Sequence, residues 1–131
     1  MDAGLSTPRV YAKLDEIRSA RGEAPDLVVT PSKPRELISA LQFGDAREVA
    51  KYLHNDLQEA AVALMPELSI TMSAGLAAGA LAAMVSGSGP TVAMLAESAE
   101  AAESIANHLA FEGYIAIPTH GPAKGTLLEH N

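Results

Sequence analysis

Cysteine and tryptophan are absent from the 131-residue sequence, and aromatic residues make up only 4% of it. The absence of cysteine excludes disulfides and thiolate metal sites. Lys and Arg number 9 against 16 Asp and Glu, which gives a formal net charge of −7 at pH 7. This acidic balance argues against a nucleic-acid or anionic-membrane partner. No positively charged start leads into an apolar segment, and no apolar run reaches the roughly 18 residues of a membrane span. We therefore expect a cytoplasmic protein.

The apolar residues that are present are mostly small and aliphatic. They make up 48% of the sequence, so the core must be built from Ala, Leu, Val, Ile and Met. The length suits a single domain. The four histidines (His54, His108, His120 and His130) show no metal-ligand spacing. No residue pattern predicts a nucleophile or a general base, so we expect no metal site and no catalytic residue in this chain.

A glycine-rich stretch, Ser86-Gly87-Ser88-Gly89-Pro90, lies between two apolar runs. The runs Leu81–Val85 and Thr91–Leu95 each have the length of a buried strand. Glycine lets a ligand or another chain approach the backbone closely, but it is also common in plain hairpins. The stretch lacks the Gly-Lys-Ser/Thr of a P-loop and the third glycine of a dinucleotide fingerprint. A hairpin and a ligand loop therefore both stay open at this point.

The segment before this stretch has helical patterns. A hydroxyl cap and Pro8 predict a helix from Ser6-Thr7-Pro8 to about Gly22, followed by a linker over residues 23–33. A second helix is expected from Pro34 to Gly44 with three inward-facing residues, Leu37, Ile38 and Leu41. Asp45-Ala46-Arg47-Glu48 resembles a capping box for a short third helix that ends near Leu53.

A polar break at His54-Asn55-Asp56 precedes the next helix. Asn55 or Asp56 can cap that helix, and the alternative is that both support the glycine loop. Pro66 does not fit inside a helix, so we expect a kink or a new start there and a further helix to Gly79.

After the loop, Ser98 is expected to cap a helix that ends at Gly113. Tyr114–Ile117 then reads as a third strand, and Thr126–Leu128 as a last edge strand. Together these elements predict an α+β fold, a ferredoxin-like sandwich of helices on a mostly antiparallel sheet.

Three stretches resemble known kinases. Met84 to Ala93, which contains the glycine-rich stretch, resembles the third conserved motif of the GHMP kinases. Gly4 to Tyr11 and His54 to Leu57 resemble, in order and approximate spacing, the second half of the 4-diphosphocytidyl-2-C-methyl-D-erythritol kinases of that superfamily. Members of this family use ATP to phosphorylate the 2-hydroxyl of their substrate in the non-mevalonate route to isoprenoid precursors.

The resemblance implies roles for several residues. Tyr11 matches an aromatic position that stacks on the cytosine of the cytidine-diphosphate-linked substrate. Asn55 and Asp56 would be structural support. The loop next to the ATP-phosphate loop would be formed by Ser86, Gly87, Ser88, Gly89, Pro90 and Thr91. ATP with Mg is the cofactor of the intact enzyme.

The resemblance covers only the C-terminal part of that enzyme. The family's glycine- and serine-rich phosphate loop and its catalytic lysine and aspartate have no counterpart here. Residues 1–33 would be a helix and linker from the junction with the N-terminal domain, and residues 34–131 the C-terminal domain. We expect the chain alone to bind no ATP and to be inactive, and to self-associate through the surface that the N-terminal domain would cover. The alternative is a free-standing α+β ligand-binding or regulatory domain without chemistry.

Overall fold

The computed structural model of the chain describes residues 4–23 and 34–122. These residues form six helices and one antiparallel two-stranded sheet. In chain order the elements are α1 (Thr7–Ala20), α2 (Arg35–Phe43), α3 (Ala46–Ala50), α4 (Gln58–Leu64), α5 (Glu67–Ala77), β1 (Ala82–Val85), β2 (Val92–Leu95) and α6 (Ala99–Phe111). Helices packed on an antiparallel sheet make an α+β fold, which confirms the predicted class.

Helix α1 begins after Ser6 and has Pro8 in its first turn, as predicted, but the expected hydroxyl cap is wrong because the Ser6 side chain makes no capping hydrogen bond. Proline is favoured there because its missing N–H has no intrahelical partner in the first turn. Val10 and Leu14 are buried, and the helix ends two residues before Gly22. These two buried residues, four apart, lie on one face of α1 and turn it toward the core.

The main hydrophobic core joins α1 to α4, α5 and the end of β1. Its buried members are Val10, Leu14, Ala60, Ala61, Leu68 and Val85. Ala60 and Ala61 are fully buried, and their small side chains let α1 and α4 approach each other closely. This core fixes α1 against the last residue of β1.

Pro66 separates α4 from α5, as predicted, and the two helices are bent by 117° at this break. Among the described residues no single helix is long and apolar enough to cross a membrane. Together α4 and α5 reach the required length and composition, but the sharp bend lies between them.

The two strands form a hairpin in which Ala82 pairs with Leu95 and Val85 pairs with Val92. Helix α6 follows, and its predicted cap is present: the Ser98 Oγ accepts a hydrogen bond of 3.1 Å from the Ala101 N–H. A second buried cluster lies on this side of the molecule and contains Ala80, Ile105 and Leu109.

The prediction that the apolar residues of α2 face inward is wrong for two of the three. Ile38 is 42% exposed and Leu41 is 59% exposed, and Ala40 is the buried residue of this helix. The main neighbour of α2 among the described elements is the short α3, which offers little surface to cover an apolar face. Gly44 does end the helix, in the left-handed conformation.

Only one of the two hydrogen bonds of the predicted capping box before α3 is present. The Asp45 carboxylate accepts a hydrogen bond of 2.9 Å from the Arg47 N–H, as an N-cap residue should. Glu48, expected to reach back to Asp45, instead pairs with Lys51. The helix also ends earlier than predicted, at Ala50.

The predicted third strand over Tyr114–Ile117 is not present. Burial does alternate along this segment: Tyr114 and Ala116 pack on the second cluster, while Ile115 and Ile117 are 96% and 81% exposed. A strand also needs hydrogen bonds to a neighbour, and no described strand pairs with this segment. The predicted edge strand Thr126–Leu128 and most of the predicted linker lie outside the described residues.

Candidate functional site

The loop Ser86–Thr91 connects β1 to β2 and is closed by two backbone hydrogen bonds. The Ser86 N–H donates to the Thr91 carbonyl at 2.8 Å, and the Gly89 N–H donates to the Ser86 carbonyl at 3.0 Å. Gly87 and Gly89 have φ angles of 57° and 81°, which side chains of other residues disfavour. The hairpin expected from the glycine-rich stretch is therefore confirmed, and both glycines are required by its backbone.

Gly89 also lies against the core. A Cβ atom at this position would be 3.0 Å from Leu5 Cδ1 and 3.2 Å from Val85 Cγ1. By contrast, a Cβ atom at Gly87 would meet no atom of the described residues within 4 Å. The loop thus packs closely on its Gly89 side and is open on its Gly87 side.

Asn55 holds the loop from the side of α4. Its Nδ2 donates to the Val85 carbonyl at 2.6 Å and to the Gly87 carbonyl at 2.8 Å, and its Oδ1 accepts from the Leu57 N–H at 3.0 Å. One amide hydrogen bonds to the last residue of β1 and the other to the loop, while the oxygen accepts from the N–H of Leu57, the residue before α4. Of the two alternatives, loop support is the one that Asn55 shows. The N-cap residue of α4 is Leu57 and it has no side-chain capping bond, so neither Asn55 nor Asp56 caps this helix.

Asp56 lies differently. Its Oδ1 is 2.7 Å from the His54 Nε2, and both side chains are largely exposed. Within the described residues the structure brings Asn55, and not Asp56, into contact with the loop. In the described part of the chain, Asp56 makes no hydrogen bond to the loop that it was predicted to support.

Two further residues contact the loop region that the sequence reasoning did not assign to it. The Thr7 Oγ1 is 2.8 Å from the Ser88 Oγ, a contact that joins α1 to the loop across 81 residues of sequence. The Gln58 Oε1 accepts a hydrogen bond of 3.0 Å from the Val85 N–H. Thr7 lies within the stretch Gly4 to Tyr11, and Gln58 directly follows the stretch His54 to Leu57. Their place in or beside the stretches that resemble the kinases was the one indication in the sequence that they contact the loop region.

Tyr11 lies one helical turn after Thr7 on α1. Residues four apart share a helix face and are separated by about 6 Å along the axis. Since Thr7 contacts Ser88, Tyr11 lies next to the side of α1 that meets the loop. Its side chain is 53% exposed, which leaves the ring accessible to a ligand.

The loop carries no charged side chain. Across residues 4–23 and 34–122, the amides of Gly87 and Ser88 donate to no protein acceptor. Consecutive backbone amides of this kind suit an anionic neighbour. The loop therefore offers backbone donors but supplies no acid or base.

The shifted pKa values lie away from the loop, at exposed charged groups. The hydrogen bond to Glu97 raises the pKa of Arg47, whose guanidinium makes two contacts with that carboxylate at 2.9 and 2.7 Å. The hydrogen bond to Glu48 likewise raises the pKa of Lys51. Both are surface ion pairs, which typically contribute little to stability.

Similar proteins from several bacteria carry the same name. The chain is 48% identical over 127 residues to the 4-diphosphocytidyl-2-C-methyl-D-erythritol kinase of Thermobifida fusca, a match that covers 95% of this chain and 39% of that protein. It is 53% identical over 110 residues to the protein of the same name from Nocardia farcinica, covering 84% of this chain and 34% of that one. The protein of this name from Corynebacterium diphtheriae is 48% identical over 122 residues, with coverage of 93% and 36%. The chain thus spans less than two fifths of the length of these relatives.

The family model described as GHMP kinases C terminal matches residues 37–115. This range contains the loop and the two side chains, Asn55 and Gln58, that hydrogen-bond to it or to the end of β1. On this match, which spans more than half of the sequence, the chain belongs to the GHMP kinase family and carries its C-terminal domain.

Proposed function

We propose that the chain is the C-terminal part of an ATP-dependent kinase that phosphorylates 4-diphosphocytidyl-2-C-methyl-D-erythritol at its 2-hydroxyl, in the cytoplasm and with Mg as the accompanying ion. The observation that carries this proposal is the 48% identity, over 95% of the chain, to a relative of that name. The contacts between α1 and the loop support it, because they join two of the stretches that carry the resemblance.

In this proposal the loop Ser86–Thr91 abuts the ATP-phosphate loop of the rest of the enzyme. Within residues 4–23 and 34–122, no hydrogen bond is donated by the amides of Gly87 and Ser88, and the loop sequence has no carboxylate; both observations support an anionic neighbour. The open side of the loop at Gly87 supports it as well, since a phosphate oxygen has to approach the backbone there.

Tyr11 is the proposed contact for the cytosine of the substrate. The exposure of its ring and its place one turn after Thr7 support this role. A base that stacks on an aromatic side chain gains about 1–3 kcal/mol. Tyr11 would therefore select the cytidine end while the loop serves the phosphate end.

The transfer itself would depend on groups from outside this chain. Phosphoryl transfer requires charge stabilisation around the γ-phosphate and a residue that orients the attacking hydroxyl. We propose that the phosphate loop and the catalytic lysine and aspartate belong to an N-terminal domain, with residues 1–33 at the junction and residues 34–131 as the C-terminal domain. On its own the chain would then have no turnover.

The exposed apolar residues favour this proposal over a free-standing binding domain. Within the described residues, the side chains of Phe43 and Phe111 are almost fully exposed to solvent. Ile115 and Ile117, two residues apart on one segment, are exposed as well. Large exposed apolar surface marks an interface. We propose that the N-terminal domain covers part of it and that the chain alone self-associates through it.

The test joins the chain to the remaining N-terminal part of the Thermobifida fusca relative. Calorimetric titration with the cytidine-bearing substrate and with Mg-ATP, and an assay of substrate-dependent ADP release, are carried out on this chimera and on the chain alone. We expect binding and turnover in the chimera only. Tight nucleotide binding by the chain alone, or a folded chimera without turnover, would contradict the proposal.

A further inference from the structure

The outer edge of β1 has a feature that none of the assigned roles uses. In an antiparallel pair, residues alternate between those that exchange hydrogen bonds with the partner strand and those that face away. Ser86 bonds to Thr91, so the preceding pair, Val85 with Val92, is the kind whose N–H and carbonyl point away from the partner strand. The polar groups of Val85 therefore face outward from the hairpin.

Two amide side chains form hydrogen bonds with the outward-facing N–H and carbonyl of Val85. The Gln58 Oε1 accepts from the Val85 N–H at 3.0 Å, and the Asn55 Nδ2 donates to the Val85 carbonyl at 2.6 Å. Asn55 and Gln58 thus make, at this one residue, the pair of bonds that a third strand would make. Asn55 then continues to the Gly87 carbonyl inside the loop.

The hydrogen bond from the Val85 N–H to Gln58 satisfies a buried backbone group. Val85 is fully buried, and a buried backbone N–H without an acceptor is strongly disfavoured. Gln58 is itself partly buried, and it is the side chain that supplies this acceptor. Without it, the end of β1 would have to move toward another acceptor or toward water, and the loop begins at the very next residue.

We propose that Gln58 is a positioning residue which, together with Asn55, sets the backbone of the loop Ser86–Thr91 for phosphoryl transfer. This inference rests on the proposed function. Gln58 touches no reacting group and acts through the Val85 peptide. Its effect falls on the phosphate side of the site, because Gln58 bonds to the residue before the loop, whereas Tyr11 lies on α1, whose Thr7 contacts the loop separately.

The test uses the chimera with Gln58→Met, which keeps the length of the side chain but removes the acceptor. We expect kcat to fall about 10- to 100-fold, the range that small displacements of positioning groups produce, with the KM of the cytidine-bearing substrate unchanged. Gln58→Glu keeps an acceptor oxygen and should restore kcat to within a few-fold of the parent. Gln42→Met, at an exposed position on α2, is the matched control and should leave kcat unchanged.

Two further measurements separate positioning from simple loss of stability. Amide hydrogen exchange at Val85 should become faster in Gln58→Met and remain slow in Gln58→Glu. Ile105→Val weakens the second cluster, away from the loop, and should leave kcat unchanged. If Gln58→Met matches the parent in kcat, or if Gln58→Glu fails to restore it, the positioning role is wrong. An inactive but folded parent chimera would instead overturn the proposed function.

Discussion

Replacing Gly89 with alanine tests whether the loop is held by its backbone conformation alone or also by its packing on the core. The φ angle of Gly89 is 81°, and a residue with a side chain pays about 1–2 kcal/mol in the left-handed region. The added Cβ would also lie 3.0 Å from Leu5 Cδ1 and 3.2 Å from Val85 Cγ1. Overpacking of this kind typically costs about 1–3 kcal/mol. We therefore expect Gly89→Ala to lower the free energy of unfolding by about 2–5 kcal/mol.

Gly87→Ala is the matched control, because Gly87 has a positive φ but open space around its Cβ position. Its cost should come from the backbone alone, about 1–2 kcal/mol, reduced slightly by the lower entropy of the unfolded chain. The difference between the two variants measures the contact of the loop with the core.

Urea unfolding followed by far-UV circular dichroism is the assay. With an m value of about 2 kcal/mol/M, Gly89→Ala should lower the midpoint by roughly 1–2.5 M and Gly87→Ala by clearly less. Equal shifts in the two variants would refute the reasoning, since the packing of Gly89 on Leu5 and Val85 would then contribute nothing.

Three other predictions concern the substrate side, a helix cap and the exposed surface. Tyr11→Ala in the chimera should raise the KM of the cytidine-bearing substrate about 5- to 150-fold, as expected for a loss of about 1–3 kcal/mol of stacking. Ser98→Ala should lower the free energy of unfolding by about 1 kcal/mol. It should also raise the pKa of Glu100, because the hydrogen bonds that this carboxylate makes with its own backbone N–H and with Ser98 keep that pKa below the ordinary value of 4.5. Because folding lowers that pKa, the stabilisation by Glu100 is present above pH 4.5 and is lost as the pH falls through the lowered pKa. In the chain alone, Ile115→Lys with Ile117→Lys should shift sedimentation toward the monomer.

Each of these has a clear contrary result. An unchanged KM in Tyr11→Ala removes Tyr11 from the substrate site. For the cap, the stability difference between the parent and Glu100→Gln should vanish on acidification, and a difference that persists at low pH would show that the charge of Glu100 is not its cause. A parent chain that sediments as a monomer would show that Ile115 and Ile117 do not mediate self-association.

Features encoded by neighbouring residues were predictable from the sequence. The cap at Ser98, the stop at Gly44 and the break at Pro66 each follow from the conformational preferences of one residue and its immediate neighbours. The turn between β1 and β2 follows in the same way from its two glycines. The resemblance added the GHMP kinase family, which the comparisons confirmed.

Features that depend on distant partners were not predictable in this way. The apolar spacing of α2 identified a helix, but whether Ile38 and Leu41 are covered depends on what lies beside it. Tyr114–Ile117 has the alternation of a strand, yet pairing requires a neighbour that periodicity does not specify. The contact of Gln58 with Val85 spans 27 residues, and no local pattern indicates which buried N–H a glutamine will satisfy.

The contact between Thr7 and Ser88 has a consequence for the order of folding. The hairpin and the helix caps form between near neighbours in the sequence, so they can assemble early at small entropic cost. The contact of α1 with the loop closes 81 residues of chain, and such distant contacts slow folding. We therefore expect the glycine loop to form before α1 reaches it, so that a chain emerging from the ribosome makes this contact only after Ser88 has been synthesised and α1 has folded back onto the loop.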